Sequence, residues 1–124
     1  MSRSPAVRNI MLLIYTKALQ AKGSWISVDA QFKSIPCFPH GIYGIFISGG
    51  VSVGRDCVIF QQVTIGSRND QGVPVVGGHV DIGAGAKVLG AIILNEHSLV
   101  GANAVVTSNV PSGATMVGIP ARPR

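Results

Sequence analysis

Residues 82–106 read IGAGAKVLGAIILNEHSLVGANAVV, and a branched aliphatic residue returns at every sixth position of this stretch. The period continues toward the N-terminus, so that ten such residues form a series of rungs: Ile47, Val53, Ile59, Ile65, Val76, Ile82, Val88, Leu94, Val100 and Val106. An α-helix repeats every three to four residues and an antiparallel strand every two, so neither sustains a period of six. A parallel β-helix does, because each hexapeptide supplies one short strand and one corner. The pattern therefore predicts an all-β fold, a parallel β-helix of about three to four coils.

The series of rungs is interrupted once. Ile65 and Val76 are eleven residues apart instead of six, which predicts a loop insertion at 66–75. Insertions in solenoids often lie on the binding face, although a tolerated surface insertion is an equal alternative. After the last rung the period decays, and we expect a C-terminal tail that closes the end of the coil. These features define a hexapeptide-repeat domain at 24–124, within which residues 24–46 are expected to be irregular.

The N-terminal segment has the pattern of a helix. Ser4 is a typical N-cap, Pro5 is typical of a first turn, and apolar residues recur at helical spacing as far as Gly23. We expect a short helix within residues 1–23 that covers one end of the β-helix. A membrane-surface helix is the alternative, suggested by Arg3, Arg8, Lys17 and Lys22. Because that many cations on a helix is ordinary, membrane association is not expected.

Composition narrows the function classes. The chain has 124 residues and a net charge of +5, but its basic residues form no dense runs, so a nucleic-acid partner is not expected. Cys37 and Cys57 have neither disulfide-framework nor metal-ligand spacing, and Cys57 occupies a hexapeptide position where small residues point inward. Reduced thiols and the lack of a convincing secretory signal predict a cytoplasmic location. The three histidines are also widely separated, so no metal is expected.

Four stretches carry the pattern of a known family: PHGIYGI at 39–45, VIFQQVTIG at 58–66, IGAGAKVLG at 82–90 and VGIPA at 117–121. Through them the chain resembles the hexapeptide-repeat acyltransferases over about residues 35 to 122. It is most similar to the serine acetyltransferase-like branch, which also contains capsule and lipopolysaccharide O-acetyltransferases. The resemblance implies a left-handed β-helix, a homotrimer, and acetyl-CoA bound in the groove between neighbouring coils.

The resemblance also implies a catalytic base. Acetyl transfer to a hydroxyl requires removal of its proton, a task suited to histidine. His40 matches the position of the family's catalytic histidine, and Asp29 is the upstream carboxylate that would orient it. The backbone N–H of Gly66 is a candidate for stabilising the oxyanion. Gln61 or Gln62 would orient the acceptor, or would equally well form hydrogen bonds between coils.

For the coenzyme, the family's pantetheine arm runs beside the coils and pairs with backbone groups of small residues. Ala84 and Ala102 lie at equivalent corners 18 residues apart, which is one full coil. Lys87, Arg122 and Arg124 are candidates for the coenzyme phosphates. Each of these three cations is equally well explained as an ordinary solvated charge.

The chain departs from the serine acetyltransferase pattern near the acceptor. Pro39 stands where those enzymes have an aspartate, and Val73 and Pro74 stand where their inserted loop has a second histidine. We therefore expect a small uncharged hydroxyl acceptor such as a sugar. The alternatives are a serine O-acetyltransferase of cysteine biosynthesis and a non-catalytic structural β-helix. His79 and His97 fall at corner positions and are expected to be solvated.

Overall fold

The computed structural model describes residues 4–124, apart from the side chain of Arg8. The elements of this part of the chain are one helix and a series of strands of two or three residues. They are α1 (Pro5–Gln20), β1 (Trp25–Ile26), β2 (Gln31–Phe32), β3 (Phe46–Ile47), β4 (Ser52–Val53), β5 (Val58–Ile59), β6 (Thr64–Gly66), β7 (Val75–Val76), β8 (Asp81–Ile82), β9 (Lys87–Leu89), β10 (Ile93–Leu94), β11 (Leu99–Val100), β12 (Val105–Val106), β13 (Thr115–Val117) and β14 (Arg122–Pro123).

The strands are distributed in turn over three sheets. Sheet A contains β1, β3, β6, β9 and β12; sheet B contains β2, β4, β7 and β10; sheet C contains β5, β8, β11 and β13 in parallel, with β14 antiparallel at its edge. The register pairs each rung with the rung one coil further on, as Ile47 with Ile65 and Ile65 with Val88. The chain thus completes four turns between β1 and β12, which confirms the predicted parallel β-helix with a short N-terminal helix.

The core is a column of inward side chains. All ten rungs are at most 2% exposed, so the hexapeptide period is a period of burial. Burial of this apolar surface is the main force that holds so short a set of strands together. Cys57 also points inward, and its burial raises the pKa of the thiol. Ser98 occupies an equivalent position, and within residues 4–124 its buried Oγ has no hydrogen-bond partner.

Residues 24–46 are more regular than the sequence suggested, and that expectation was wrong. Ile26 and Phe32 are rungs of an additional first coil, in register with Ile47 and Val53. Cys37 continues this coil through a parallel bridge to Val58. The coil was missed because one of its rungs is aromatic and because a longer interruption separates it from the coil that follows.

Three columns of turns join the sheets, and six of the ten candidate site residues lie in them. The C–A corner comprises residues 38–45, 60–63, 83–86 and 101–104; the A–B corner comprises 27–30, 48–51, 67–74 and 90–92; the B–C corner comprises 33–36, 54–57, 77–80 and 95–98. The insertion expected after Ile65 lies in the A–B corner as residues 67–74. A second insertion, residues 38–45, lies in the C–A corner and contains His40.

Helix α1 packs on the first coil. Ser4 Oγ accepts a hydrogen bond from the Val7 N–H at 3.3 Å, which gives the expected N-cap. Leu19 is buried in the core, and Tyr15 Oη donates to the Ile26 carbonyl at 3.1 Å. The helix therefore anchors its C-terminal half on the end of the solenoid.

The outward face of α1 exposes apolar side chains, among them Ile10, Leu13 and Ile14. Of the cations that suggested a membrane-surface helix, Arg3 and the side chain of Arg8 lie outside the described residues. Within residues 4–124, no helix has the length and apolar character needed to cross a bilayer.

Candidate active site

His40 is placed by a tight turn at the C–A corner. The Gly41 N–H donates to the Phe38 carbonyl at 3.0 Å, so Pro39 and His40 are the two central residues of this turn. Proline favours the first central position because its φ is already fixed near the value required. Pro39 therefore presents the imidazole outward, and the His40 side chain is exposed.

The imidazole is oriented by two side chains of the next coil. Nδ1 of His40 lies 3.0 Å from Oε1 of Gln61, and the rings of His40 and Phe60 meet edge to face at 5.6 Å between centroids. Because an amide oxygen only accepts hydrogen bonds, Nδ1 is the donor in this contact. In the neutral imidazole, Nε2 then carries the free lone pair.

Gln61 and Gln62 form the corner beneath His40. Gln62 has φ of 63°, a left-handed conformation, and its N–H donates to the Tyr43 carbonyl at 2.9 Å. Its amide group lies over Gly44, where a Cβ would overlap it. The Gln61 carbonyl accepts the Gly85 N–H at 3.0 Å. Thus the Gln61 side chain contacts His40, and the backbone of both glutamines joins neighbouring coils.

Lys87 is the first residue of β9, directly after the same corner, and its side chain is half-buried. Its Nζ donates to the carbonyls of Gly85 at 2.8 Å and Gln62 at 3.1 Å. The ammonium group, which was one candidate for a coenzyme phosphate, therefore donates to backbone carbonyls of the corner.

Ala84 and Ala102 lie one coil apart on the C–A corner, as their spacing predicts. Each is the first central residue of a turn closed by a hydrogen bond of 3.2 Å, from the Ala86 N–H in one case and from the Ala104 N–H in the other. The fourth residue of each turn donates the closing hydrogen bond, so the N–H of each alanine, the second residue, takes no part in it. Within residues 4–124 neither N–H donates to a protein acceptor, so both are available to an extended ligand.

The structure does not bring Asp29 and Gly66 to His40 within one chain. Asp29 is exposed in the A–B corner, where its N–H is bonded to Ser27 Oγ at 3.2 Å. Gly66 ends β6 and is buried, and its carbonyl accepts the Gly90 N–H at 2.9 Å. Because the strands of sheet A are parallel, their ends lie at the A–B corner, across the sheet from His40.

Arg122 and Arg124 lie on the segment that closes the solenoid. Arg122 is in β14, opposite Val117, and the Arg124 N–H donates to the Thr115 carbonyl at 2.8 Å. Both side chains are exposed. They therefore lie below Ala102, at the far end of the solenoid from His40.

His79 and His97 belong to the B–C corner, away from His40. Their rings stack at 4.8 Å between centroids, and His79 Nε2 lies 3.9 Å from Asp56 Oδ2. Both line a groove of about 340 Å³ together with Lys33, Arg55 and Glu96. The side chains described in residues 4–124 include no group of three or more histidines, cysteines and acidic residues that could hold a metal ion.

Sequence reasoning missed the residues that orient the imidazole. Phe60 was not considered, and Gln61 was expected to orient the acceptor or to form hydrogen bonds between coils, not to contact His40. The spacing along the chain does indicate this contact. Phe38 and Ile59 lie side by side on the same sheet, so His40, shortly after Phe38, and Gln61, shortly after Ile59, must lie in the same corner. That inference requires the first coil, which the sequence did not reveal.

Comparison with known proteins finds serine acetyltransferases, both by sequence and by fold. The chain is 48% identical over 80 residues to a serine acetyltransferase of Mycobacterium tuberculosis, covering 62% of this chain and 35% of that protein. It is 44% identical over 86 residues to the serine acetyltransferase of Synechococcus elongatus, covering 67% and 35%. A truncated serine acetyltransferase apoenzyme superposes with a TM-score of 0.86 at 32% identity, covering 96% of this chain and 50% of that one. In sequence and in fold, the chain is similar to hexapeptide-repeat acyltransferases.

This similarity supports the left-handed β-helix that the resemblance implied. No protein-family model matches the chain. The chain spans about a third of the length of these two curated serine acetyltransferases, so the similarity concerns the hexapeptide-repeat domain that they share with it.

Proposed function

We propose that this chain is the acyl-transfer domain of an acetyl-CoA-dependent O-acetyltransferase that acts on serine. The observation that carries the proposal is the C–A corner, where His40, oriented by Gln61, lies in the same column as the free N–H groups of Ala84 and Ala102. The similarity to proteins named serine acetyltransferase supports both the reaction and the acceptor.

The proposed chemistry uses His40 as a general base. Nε2 accepts the proton of the acceptor hydroxyl while the hydroxyl oxygen attacks the thioester carbonyl of acetyl-CoA. The tetrahedral intermediate collapses, the carbon–sulfur bond breaks, and the acetyl ester is released. The thiolate of CoA then accepts this proton from the imidazolium. Gln61 contributes by holding the Nδ1 proton, which keeps Nε2 free for this transfer.

The coenzyme is proposed to lie along the C–A corner. The N–H groups of Ala84 and Ala102, one coil apart, suit the amide carbonyls of an extended pantetheine arm. Arg122 and Arg124 remain candidates for its phosphates, because both are exposed at the closing end of the same solenoid. Acetyl-CoA is a co-substrate in this scheme, and no metal takes part.

We propose that a second copy completes the site, within a homotrimer. The corner that carries His40 and the corner that carries the 67–74 loop lie at opposite edges of sheet A. The outer surface of sheet A exposes two aromatic side chains, Trp25 and Phe46, which favours burial of this face between copies. A threefold arrangement around sheet A would place the A–B corner of one copy, with Asp29 and Gly66, beside His40 of the next.

The proposed acceptor is serine, whereas the sequence favoured a sugar. That expectation rested on Pro39, Val73 and Pro74, but the similar proteins are named serine acetyltransferases, which supports the alternative. In the structure Pro39 places the turn that presents His40, so its substitution for aspartate has a conformational reason besides any effect on the acceptor.

The free thiols of Cys37 and Cys57 support a reducing, cytoplasmic location.

The experiment is release of CoA thiol from acetyl-CoA by the full chain, with L-serine and a panel of neutral sugars as acceptors. We expect turnover with serine and at most background rates with sugars. Turnover with a sugar but not with L-serine would show that the acceptor is a sugar. Absence of turnover with every acceptor, together with no thermal stabilisation by CoA, would favour the structural β-helix.

A further inference from the structure

The Lys87 ammonium group contacts the backbone of the C–A corner. Its Nζ donates to two carbonyls, those of Gly85 and Gln62, in two successive coils. The side chain is half-buried, so its stem packs along the corner instead of extending into solvent. An ammonium group held by two acceptors is fixed in place.

The two carbonyls belong to residues in the same unusual conformation. Gln62 has φ of 63° and Gly85 has φ of 75°, and they occupy equivalent positions one coil apart. A left-handed residue turns its peptide away from the regular ladder, so its carbonyl needs another donor. A charged donor is the strongest available, because hydrogen bonds with an ionised partner are shorter and stronger than neutral ones.

These contacts fix the two peptide units that follow Gln61. The Gln61 carbonyl is held by Gly85, the Gln62 N–H is held by the Tyr43 carbonyl, and the Gln62 carbonyl is held by Lys87. Gln61 is the residue whose side-chain oxygen lies 3.0 Å from Nδ1 of His40. The path from Lys87 to His40 therefore runs through the backbone of Gln62 and the side chain of Gln61.

We propose that Lys87 is a positioning residue for His40, acting through the Gln61–Gln62 corner, and not a ligand of the coenzyme phosphates. This inference rests on the proposed function, in which His40 is the base. Loss of the ammonium group frees the Gln62 carbonyl, loosens the corner and lets the Gln61 amide leave Nδ1. The imidazole then loses its preference for the tautomer that leaves Nε2 unprotonated.

The test compares Lys87→Met with Lys33→Met, a control at an exposed lysine of the B–C corner. The first readout is the nitrogen NMR spectrum of the imidazole rings in the full chain, with its three histidines isotope-labelled. The signals of His40 are assigned as those that disappear in His40→Asn. We expect the Nδ1–H tautomer of His40 in the wild type and in Lys33→Met, and a mixture of tautomers in Lys87→Met. An unchanged His40 spectrum in Lys87→Met overturns the proposal.

The second readout is kinetic. We expect kcat to fall about ten-fold or more in Lys87→Met while KM for acetyl-CoA stays within about two-fold, because the interaction lost acts on the base. A raised KM with unchanged kcat shows a phosphate ligand instead. If Lys87→Met does not fold, Lys87→Gln, which keeps one donor group without the charge, is read by the same spectrum. If the wild type shows no turnover, the proposed function is wrong. The His40 spectrum does not depend on turnover and still tests the role of Lys87.

Discussion

Nδ1 of His40 lies 3.0 Å from Oε1 of Gln61, a residue of the next coil. The contact joins the insertion that follows the first coil to the corner of the second. A neutral amide therefore occupies the place where a histidine base often has a carboxylate. An amide orients the ring and fixes its tautomer, but it does not stabilise the imidazolium as a charge would.

Gln61→Glu should move the acid limb of the kcat/KM profile to higher pH. A carboxylate beside Nδ1 favours the protonated imidazole, so a higher pH is needed to free Nε2; we expect a displacement of about one pH unit or more. The profile of acetyl-CoA turnover measures this directly. Gln62→Glu is the matched control, because Gln62 is adjacent but makes no contact with the imidazole. An equal displacement in both variants would indicate a general effect of charge instead of contact with His40.

Ala102→Trp should impair coenzyme binding without unfolding the chain. Ala102 is exposed on the C–A corner, so an indole there covers the groove proposed for the pantetheine arm. We expect KM for acetyl-CoA to rise about ten-fold with little change in kcat, the signature of lost ground-state binding. Glu96→Trp is the control, since Glu96 occupies the equivalent exposed position of the B–C corner. Equal kinetics in the two variants would show that the coenzyme does not bind at the C–A corner.

Ser98→Ala should stabilise the protein. The Ser98 hydroxyl is buried without a partner among residues 4–124, at a position where other coils have Val80, Ala86 or Ala104. Removing an unsatisfied buried hydroxyl recovers its desolvation cost, about 1 kcal/mol or more. The urea midpoint of unfolding measures the change, with the exposed Ser108→Ala as control. A lower midpoint for Ser98→Ala would show that the hydroxyl is satisfied in solution.

The two cysteines should differ in reactivity. Cys37 is exposed, whereas Cys57 is buried and burial raises the pKa of its thiol, so less thiolate is present at a given pH. A thiol reagent such as Ellman's reagent should titrate one fast thiol in the native protein and two after denaturation. Cys37→Ser should remove the fast phase. Two fast native thiols would contradict the burial of Cys57.

The rungs were predictable from the sequence because their period is also the period of burial. Every aliphatic residue from Ile47 to Val106 that the spacing singled out lies in the core, since only this register closes the coil. The first coil was not predictable in the same way. Its Phe32 is a partly buried aromatic rung, and the insertion at 38–45 breaks the period before the next rung.

The candidate site was predictable in position but not in detail. Ala84 and Ala102 follow from the repeat, because equivalent hexapeptide positions stack in one corner. The contacts of Gln61 and Lys87 depend on side-chain direction and on carbonyls freed by left-handed residues, which spacing does not encode. Asp29 and Gly66 were linked to His40 through family resemblance, and a single chain places them across sheet A.

The most direct test of the central claim is acetyl-CoA turnover with L-serine by the wild-type chain and by His40→Asn, under the same conditions. We expect serine-dependent release of CoA thiol by the wild type and a rate reduced by about 10²-fold or more in His40→Asn, because the general base is lost. Both proteins should bind CoA equally, as measured by thermal stabilisation. Equal turnover by the two proteins would contradict the assignment of His40 as the base and, with it, the C–A corner as the active site.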